Sequence, residues 1–214
     1  MVERYRRWLD RKTVERCAQN LKRNGFDVRT ASAPEAACQE ILAMISEFET
    51  FGIGGSETIR QIGIIDELSG MGKTVHDHWL NALSPEDVQA VRLQQGRCDC
   101  FLCSANAISA HGEIVNVDGI GNRVTAMTYG PRKVVVVAGV NKIAPNLEQA
   151  LLRVRTVAGP MRAKSLGMDT PCAETGECAD CHSPQRICRI TTILHRRPML
   201  TDISVVLIAL PLGY

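Results

Sequence analysis

The strongest constraint on the fold is a run of branched apolar residues, Val134–Ala138, in the second half of the chain. A strand with one face in water alternates apolar and polar residues, whereas a strand buried on both faces has an unbroken apolar run. Helices cover both faces of the sheet that holds such a strand. We therefore expect Val134–Ala138 to be a central strand of a largely parallel sheet flanked by helices.

Short strand patterns and helix patterns alternate along the rest of the chain, which is typical of the α/β class. The predicted strands are 26–31, 51–53, 74–77, 100–108, 114–118, 134–138, 190–195 and 203–210. The predicted helices are 3–24, 32–45, 57–68, 85–95, 122–128 and 146–166, with Ser32 as the cap of the second. We expect an N-terminal helix over residues 1–24 and one domain over 25–214 that contains a cysteine-rich loop at 170–191.

Four of the nine cysteines lie close together in segment 170–191, namely Cys172, Cys178, Cys181 and Cys188. A chain of 214 residues buries enough apolar surface to fold without a metal or disulfide, so the cluster needs another explanation. Soft thiolates on a looped segment bind zinc or an iron-sulfur cluster. Because only one pair has the two-residue spacing of a zinc knuckle, the spacing favours a [4Fe-4S] cluster. Zinc, His182 as a substitute ligand and four free thiols stay open as alternatives.

A second cysteine group, Cys98, Cys100 and Cys103, lies at the entry to a predicted strand. Side chains alternate along a strand, so Cys98 and Cys100 are predicted on one face and Cys103 on the other. We expect core packing or a contribution to the first cluster rather than a separate metal site. Cys17 and Cys38 lie on helix stripes and are predicted to be buried.

A glycine-containing segment, Gly54-Gly55-Ser56, joins a predicted strand to a helix that begins at Glu57. Backbone N–H groups in such a turn approach anions closely, which predicts a phosphate or carboxylate site. The segment is neither a Walker loop nor a dinucleotide fingerprint. Its plain alternative is a helix cap at Ser56 with a favourable first-turn charge at Glu57.

A polar group forms a second candidate binding region. Its members are Ser104, Asn106, Asp118, Asn122 and Arg123. Ligands of open α/β sheets bind at the carboxyl ends of strands, where these residues are predicted to lie. A tight turn made of Gly, Asn and Asp is the alternative.

Three further residues are candidates for the same region. Lys142 follows the buried strand and is placed to meet a ligand carboxylate or to cap the sheet end. His76 and His78 alternate along a short strand and are interpreted as polar surface or as the lining of a cavity.

Composition excludes several classes of function. With 25 basic against 23 acidic residues and 4% aromatics, the chain lacks the basic face and stacking platform of a nucleic-acid binder. The longest apolar runs, 134–140 and 205–212, are too short to span a bilayer. Residues 1–12 are charged and lack the apolar region of an export signal, so we expect a cytoplasmic protein.

Six ordered motifs carry a family resemblance. They are GIGGSETIRQIGI at 52–64, SANAIS at 104–109, GEIVNVDGIGNRVTAM at 112–127, GPRKVVVVAGVNKI at 130–143, TPCAETGECADCHSPQRICRIT at 170–191, and the closing LGY. Over residues 25–214 the chain resembles the lactate-utilisation (LUD) domain family, in its LutC-like group. The resemblance implies a fold related to the NagB/RpiA/CoA-transferase fold, in which the GGS segment lies where relatives bind phosphate or carboxylate groups.

The resemblance also implies a role in bacterial lactate utilisation, the oxidation of lactate to pyruvate. The implied partners are an iron-sulfur subunit and a larger LUD-type subunit. We expect a redox accessory subunit that holds a [4Fe-4S] cluster and binds a small carboxylate through Arg123 and the glycine-segment amides. Whether the chain is itself an oxidoreductase, and whether it forms a homo-oligomer, stays open.

Two other classes of function stay open. One is a transferase or hydrolase acting on an acyl-CoA or a sugar phosphate, with Glu57 as nucleophile or base and a structural zinc on the cysteines. The other is a non-catalytic module that senses a small carboxylate.

Overall fold

The fold is built around the strand that contains the valine run. The computed structural model describes residues 2–80 and 83–214. The strands, in chain order, are β1 (Asp27–Ala31), β2 (Thr50–Ile53), β3 (Thr74–Asp77), β4 (Cys100–Ser104), β5 (Ala107–Ser109), β6 (Ile114–Asp118), β7 (Lys133–Gly139), β8 (Ile143–Ala144), β9 (Ile190–Leu194) and β10 (Asp202–Ile208). The helices are α1 (Val2–Arg23), α2 (Pro34–Ile45), α3 (Glu57–Gln61), α4 (Ile64–Gly70), α5 (Pro85–Gln95), α6 (Asn122–Thr128), α7 (Leu147–Arg153), α8 (Gly159–Ser165) and α9 (Pro171–Thr175).

Six strands form a parallel sheet in the order β1-β10-β7-β4-β2-β3. Val134–Ala138 of β7 is completely buried, because α1 and α6 cover one face of the sheet and α2, α3 and α4 cover the other. Val134 and Val136 pack toward α1, and Val135 and Val137 pack toward α2. The predicted α/β fold with a largely parallel sheet flanked by helices is confirmed, and segment 170–191 is the predicted cysteine-rich loop.

A second, smaller sheet has the strand order β8-β5-β6-β9. The predicted hairpin is present as the antiparallel pair β5–β6. The single strand predicted over 100–108 is wrong, since β4 belongs to the large sheet and β5 to the small one. Ala105 and Asn106 carry the chain between the two sheets. This crossing brings polar side chains from both sheets to one place.

Two predicted helices are interrupted. The helix predicted over 57–68 divides into α3 and α4 at Gly63, whose φ of 73° lies in the left-handed region. The helix predicted over 146–166 contains a π-helical turn, Val154–Ala158, between α7 and α8. The spacing of apolar residues does not reveal either interruption, because the buried side of the helix stays apolar in both cases.

The cap predicted for α2 is also wrong. Ala33, not Ser32, is the residue that caps this helix, and no side-chain hydrogen bond is made there. Pro34 fixes the first helical position instead, where the missing N–H leaves nothing unsatisfied.

The N-terminal helix predicted over 1–24 corresponds to α1, with Met1 outside the described residues. Its second half packs into the core through Val14, Cys17 and Leu21. Within the described ranges, no helix combines the length and apolar character needed to cross a bilayer.

Candidate functional site

A cavity of about 430 Å³ opens at the carboxyl ends of β2, β3, β4 and β7, and we call it the sheet-edge cavity. It is lined by every predicted binding or catalytic residue outside the cysteine loop except Gly54. These are Gly55, Ser56, Glu57, Ser104, Asn106, Asp118, Asn122, Arg123 and Lys142. Strands of a parallel sheet end at a common edge, which explains why residues distant in sequence meet there.

Lys142 lies in the 3-10 turn Val140–Lys142 that follows β7, and only 5% of it is exposed. Its Nζ donates hydrogen bonds to Thr58 Oγ1 at 2.8 Å and to Ser104 Oγ at 2.9 Å. Burial, with smaller contributions from the guanidiniums of Arg153 and Arg123, lowers the pKa of Lys142 to about 7. Lys142 is therefore close to half-neutral at physiological pH.

Arg123 is the most heavily bonded side chain of the cavity. Its acceptors are the carboxylate of Asp118, the side-chain oxygens of Asn106 and Asn116, and the backbone oxygens of Ser104 and Val117. These bonds engage all three nitrogens of the guanidinium, whose five N–H groups are thereby used. The expectation that Arg123 holds a ligand carboxylate does not fit this geometry, because no donor is left over. Arg123 instead cross-links β4, β6 and the start of α6.

The glycine segment has a different role at each position. The N–H of Gly54 donates to Leu102 O at 2.9 Å, so this amide is already bonded within the sheet. Ser56 caps α3 by accepting a hydrogen bond from the Ile59 N–H at 3.3 Å. Glu57, half-buried at the first helical position, turns a free carboxylate to the cavity.

Trp79 forms one wall and is held between two arginines. The guanidinium carbons of Arg60 and Arg162 each lie 4.3 Å from the Trp79 ring centroid. Arg60 is fixed by an ion pair with the buried Asp77 at 2.5 Å. A Cβ at Gly55 would come within 2.7 Å of the indole, so the glycine is required for this stacking.

Arg162 presents its charge to the cavity. Burial lowers the pKa of Arg162, while the nearby Tyr214 and Glu57 raise it. Its NH1 donates to Ser165 Oγ at 3.3 Å and Tyr214 is a further hydrogen-bond partner, so donors remain among the five N–H groups for an anionic ligand. The geometry thus favours Arg162 over Arg123 for holding a carboxylate.

Gln95, at the end of α5, organises the far side of the cavity. It is fully buried, and its Nε2 donates to Ile53 O at 2.8 Å and lies 2.8 Å from His78 Nδ1. Its Oε1 accepts a hydrogen bond from Asn122 Nδ2 at 3.3 Å. Burial lowers the pKa of His78, and the charge of Arg92 lowers it further, so His78 is neutral. His78 lines the sheet-edge cavity, which agrees with the second of the two interpretations that the sequence allowed, polar surface or cavity lining.

Sequence reasoning missed five residues of this site, which are Thr58, Trp79, Arg92, Gln95 and Arg162. Thr58 and Gln95 lie within predicted helices close to predicted site residues, so their polar side chains could have indicated that they belong to the site. No local pattern marks Trp79 or Arg162, because their roles depend on two distant segments meeting.

The four clustered cysteines line a second cavity of about 500 Å³, which we call the cysteine cavity. Cys172, Cys181 and Cys188 are half-buried and Cys178 is exposed, and all four are free thiols. Within residues 2–80 and 83–214, no three His, Cys, Asp or Glu side chains form a group that could hold a metal ion. The loop brings the four thiols to one cavity without gathering them around a single point.

Arg186 shapes the cysteine loop. Its guanidinium donates to Cys181 O at 2.7 Å and to Cys188 O at 2.8 Å, and pairs with Asp180 at 2.8 Å. Asp180 has a φ of 47°, the left-handed conformation that tight loops use. Arg186 thereby fixes the backbone that presents two of the four thiols.

The cysteine cavity fits an iron-sulfur cluster by the chemistry of its lining. The lining holds four cysteines, the cations Arg155 and Arg186, and the acidic residues Glu148 and Asp180. The remaining wall is largely apolar, with Leu151, Val154 and Ala163. Fe–S clusters are held by Cys thiolates, and burial with nearby positive charge stabilises their net negative charge.

The two cavities share a wall. Val117 and Ile187 line both the sheet-edge cavity and the cysteine cavity. Val117 is in β6, and Ile187 is in the cysteine loop, whose Arg189 N–H donates to Asp118 O at 2.9 Å. The cysteine loop therefore packs directly behind the polar site.

The second cysteine group lies in the core. Cys98, Cys100 and Cys103 are buried, and burial raises the pKa of both Cys98 and Cys103 to about 12. The expected core packing is confirmed, as is the burial of Cys17 and Cys38. The predicted facing is wrong: Cys98 and Cys103 pack in one core and Cys100 in the other, because β4 begins only at Cys100.

The fold and the cavity together define an α/β domain with a polar, largely cationic cavity at the carboxyl edge of its sheet. The sequence profile of the LUD domain matches residues 14–208, and the chain belongs to the LUD domain family, which is associated with lactate utilisation. No curated protein matches the chain.

Among solved structures, the chain is similar to a DUF162 family protein from Deinococcus radiodurans. The two are 13% identical with a TM-score of 0.53, and the alignment covers 93% of this chain and 98% of the other. This likeness concerns the fold.

Proposed function

We propose that this chain is a redox component of lactate utilisation. In this proposal it binds a small hydroxy- or keto-carboxylate in the sheet-edge cavity and holds a [4Fe-4S] cluster with Cys172, Cys178, Cys181 and Cys188. The observation that carries the proposal is that Val117 and Ile187 line both cavities, so that the two cavities share a wall. The family's association with lactate utilisation supports it.

The charges of the sheet-edge cavity support an anionic ligand. Arg123 and Asp118 neutralise each other, which leaves Arg92 and Arg162 as the arginine cations of the lining. The buried Nε of Arg92 has no hydrogen-bond partner among the described residues. A carboxylate satisfies such donors with charge-assisted hydrogen bonds.

Glu57 is the proposed base of the site. Of the two acidic side chains in the lining, Asp118 is engaged by Arg123 and by the Val124 N–H. Glu57 is therefore the carboxylate left to accept the hydroxyl proton of a bound 2-hydroxy acid.

The four cysteines would hold the cluster, and a bound cluster supplies one-electron transfer. Arg186 holds the backbone of Cys181 and Cys188, and Arg155 lines the same cavity, where both arginines lie within ion-pair distance of Asp180. The side chains that line both cavities, Val117 and Ile187, are apolar and add no charge between them.

The test of the cluster is the metal content and visible spectrum of protein purified without oxygen. We expect iron and sulfide, with a broad absorbance that bleaches on reduction. The double variant Cys178→Ser, Cys181→Ser loses both, whereas Cys38→Ala, which removes a core thiol far from the loop, keeps them. Zinc without colour contradicts the redox proposal and favours a transferase or hydrolase with Glu57 as nucleophile and a structural zinc.

The test of the carboxylate site is calorimetric titration with lactate and pyruvate. Arg162→Gln should weaken binding at least tenfold, since a charge-assisted pair is lost. Lys164→Gln, an exposed cation on the same helix, should leave the affinity unchanged. Equal affinities of the two variants would remove Arg162 from the site.

A further inference from the structure

The inner end of the sheet-edge cavity holds an amine between two hydroxyls. Lys142, Thr58 and Ser104 are 5%, 1% and 4% exposed and come from three separate elements. Lys142 Nζ lies 2.8 Å from Thr58 Oγ1 and 2.9 Å from Ser104 Oγ, and the two hydroxyl oxygens are 3.3 Å apart. Amine and hydroxyls thus form a closed triangle.

The hydrogen-bond count favours the neutral amine. An ammonium has three N–H donors, whereas an amine has two donors and one lone pair. Nζ makes two hydrogen bonds, and no carboxylate lies within ion-pair distance of it in the described part of the chain. The cations Arg153 and Arg123 disfavour a third positive charge at Lys142, and the opposing effect of Cys103 is smaller.

A buried neutral lysine beside a carboxylate-binding cavity is the arrangement of a carbonyl-capturing nucleophile. We propose that Lys142 forms a reversible Schiff base with a small 2-oxo carboxylate bound in the sheet-edge cavity. This inference rests on the carboxylate site of the proposed function and adds a covalent step to it.

The step is balanced without an oxidant or reductant. The Nζ lone pair attacks the carbonyl carbon, a C–N bond forms, and the carbonyl π electrons move to the oxygen. The carbinolamine C–O bond then breaks, the C=N bond forms, and the oxygen leaves as water. Both hydrogens of that water come from the amine, and the hydroxyls of Thr58 and Ser104 are placed to relay them.

The experiment is reductive trapping on the full chain. Protein is incubated with pyruvate and sodium cyanoborohydride, and intact mass is followed by peptide mapping. We expect one reduced pyruvyl adduct per chain, located at Lys142. Lactate, which has no carbonyl, should give none.

Variants and pH separate this reaction from surface labelling. Lys142→Arg keeps the charge and Lys142→Met keeps the aliphatic stem, and neither should be trapped. Lys133→Met removes a lysine paired with Asp202 and should be trapped like the parent. Because burial lowers the pKa of Lys142 to about 7, trapping should be half-maximal near pH 7, well below the range of an ordinary lysine.

The outcomes are distinguishable. Pyruvate that binds by calorimetry but is not trapped, or is trapped equally in Lys142→Arg, overturns the Schiff base and leaves the carboxylate site standing. Absence of both binding and trapping overturns both. An adduct at Lys142 in the parent protein, which needs no variant to fold, supports the proposal.

Discussion

The sheet-edge cavity and the cysteine cavity share two side chains but are built in opposite ways. In the first, polar groups are bonded to one another before any ligand arrives, as with the saturated guanidinium of Arg123. In the second, three thiols are half-buried, Cys178 is exposed, and the four do not converge on one point. The difference teaches that one site is preorganised by the fold, while the other, under the proposed function, would need a bound cluster to draw its groups together.

The largest expected contrast is in thiol reactivity. At pH 8, iodoacetamide should label the four loop cysteines of the metal-free protein and spare the five buried ones. Burial raises the pKa of Cys103 to about 12, which lowers its thiolate fraction roughly a thousandfold relative to an ordinary thiol. Peptide mapping over time measures the labelling rates of the individual cysteines. Comparable rates for Cys103 and Cys178 would contradict the expected difference between buried and loop cysteines.

Removal of Arg123 tests the preorganised side. Arg123→Met leaves Asp118 as a buried, unpaired carboxylate and should lower the free energy of unfolding by about 3–5 kcal/mol. Arg132→Met removes an exposed arginine that lies 3.6 Å from Asp99 and should cost less than about 1 kcal/mol. Urea unfolding of both variants gives the two values. Similar losses of unfolding free energy in Arg123→Met and Arg132→Met would mean that the hydrogen bonds of Arg123 add nothing to stability.

The buried lysine predicts a pH dependence of stability. The pKa of Lys142 is lowered to about 7 in the folded protein and is about 10.4 in the unfolded chain. Between these values the unfolded state binds more protons, so stability rises with pH, by up to about 1.4 kcal/mol per unit. Below about pH 7 both states hold the proton and this contribution is constant.

The check is a comparison with Lys142→Met by urea unfolding at several pH values. Between pH 7 and 9 the parent should gain about 2 kcal/mol relative to the variant. Lys133→Met is the matched control and should follow the parent. Parallel curves for parent and Lys142→Met would show that Lys142 keeps an ordinary pKa.

The smallest effect concerns the wall made by Trp79. Gly55→Ala places a methyl group against the indole and should destabilise the fold by about 1–3 kcal/mol, with a shift in tryptophan fluorescence. Gly70→Ala, where nothing lies within 4 Å of the new Cβ, should stabilise α4 by up to about 1 kcal/mol. Thermal unfolding and fluorescence of the pair measure the difference. An unchanged spectrum in Gly55→Ala would show that the stacking is loose.

Much of the fold follows from local patterns in the sequence. The Val134–Ala138 run predicted a sheet covered on both faces, because a strand with an unbroken apolar run is buried on both sides. The alternation of strands and helices along the chain predicted a parallel sheet. The split of segment 100–108 between two sheets was out of reach, since each half is apolar and reads as strand.

The candidate site was only partly predictable for a related reason. Polar residues at strand ends, such as Ser104 and Lys142, lie at a common edge in any parallel sheet, so their meeting could be inferred. The roles of Arg123 and Arg162 could not be inferred from the sequence, because the number of hydrogen-bond acceptors around a guanidinium depends on tertiary contacts. The sequence therefore predicted Arg123 as the carboxylate-binding residue, whereas the hydrogen bonds of the structure favour Arg162 for that role.

The π-helical turn Val154–Ala158 sets the direction in which the side chains of α8 point around the helix axis. Residues of an α-helix advance by about 100° each around the axis, so the loss of one residue from this turn would rotate α8 by that angle. Arg162 would leave the indole of Trp79, and Ala163 would leave the cysteine cavity. A single-residue deletion here would therefore alter the sheet-edge cavity, which this turn does not line, as well as the cysteine cavity, which it lines through Val154 and Arg155.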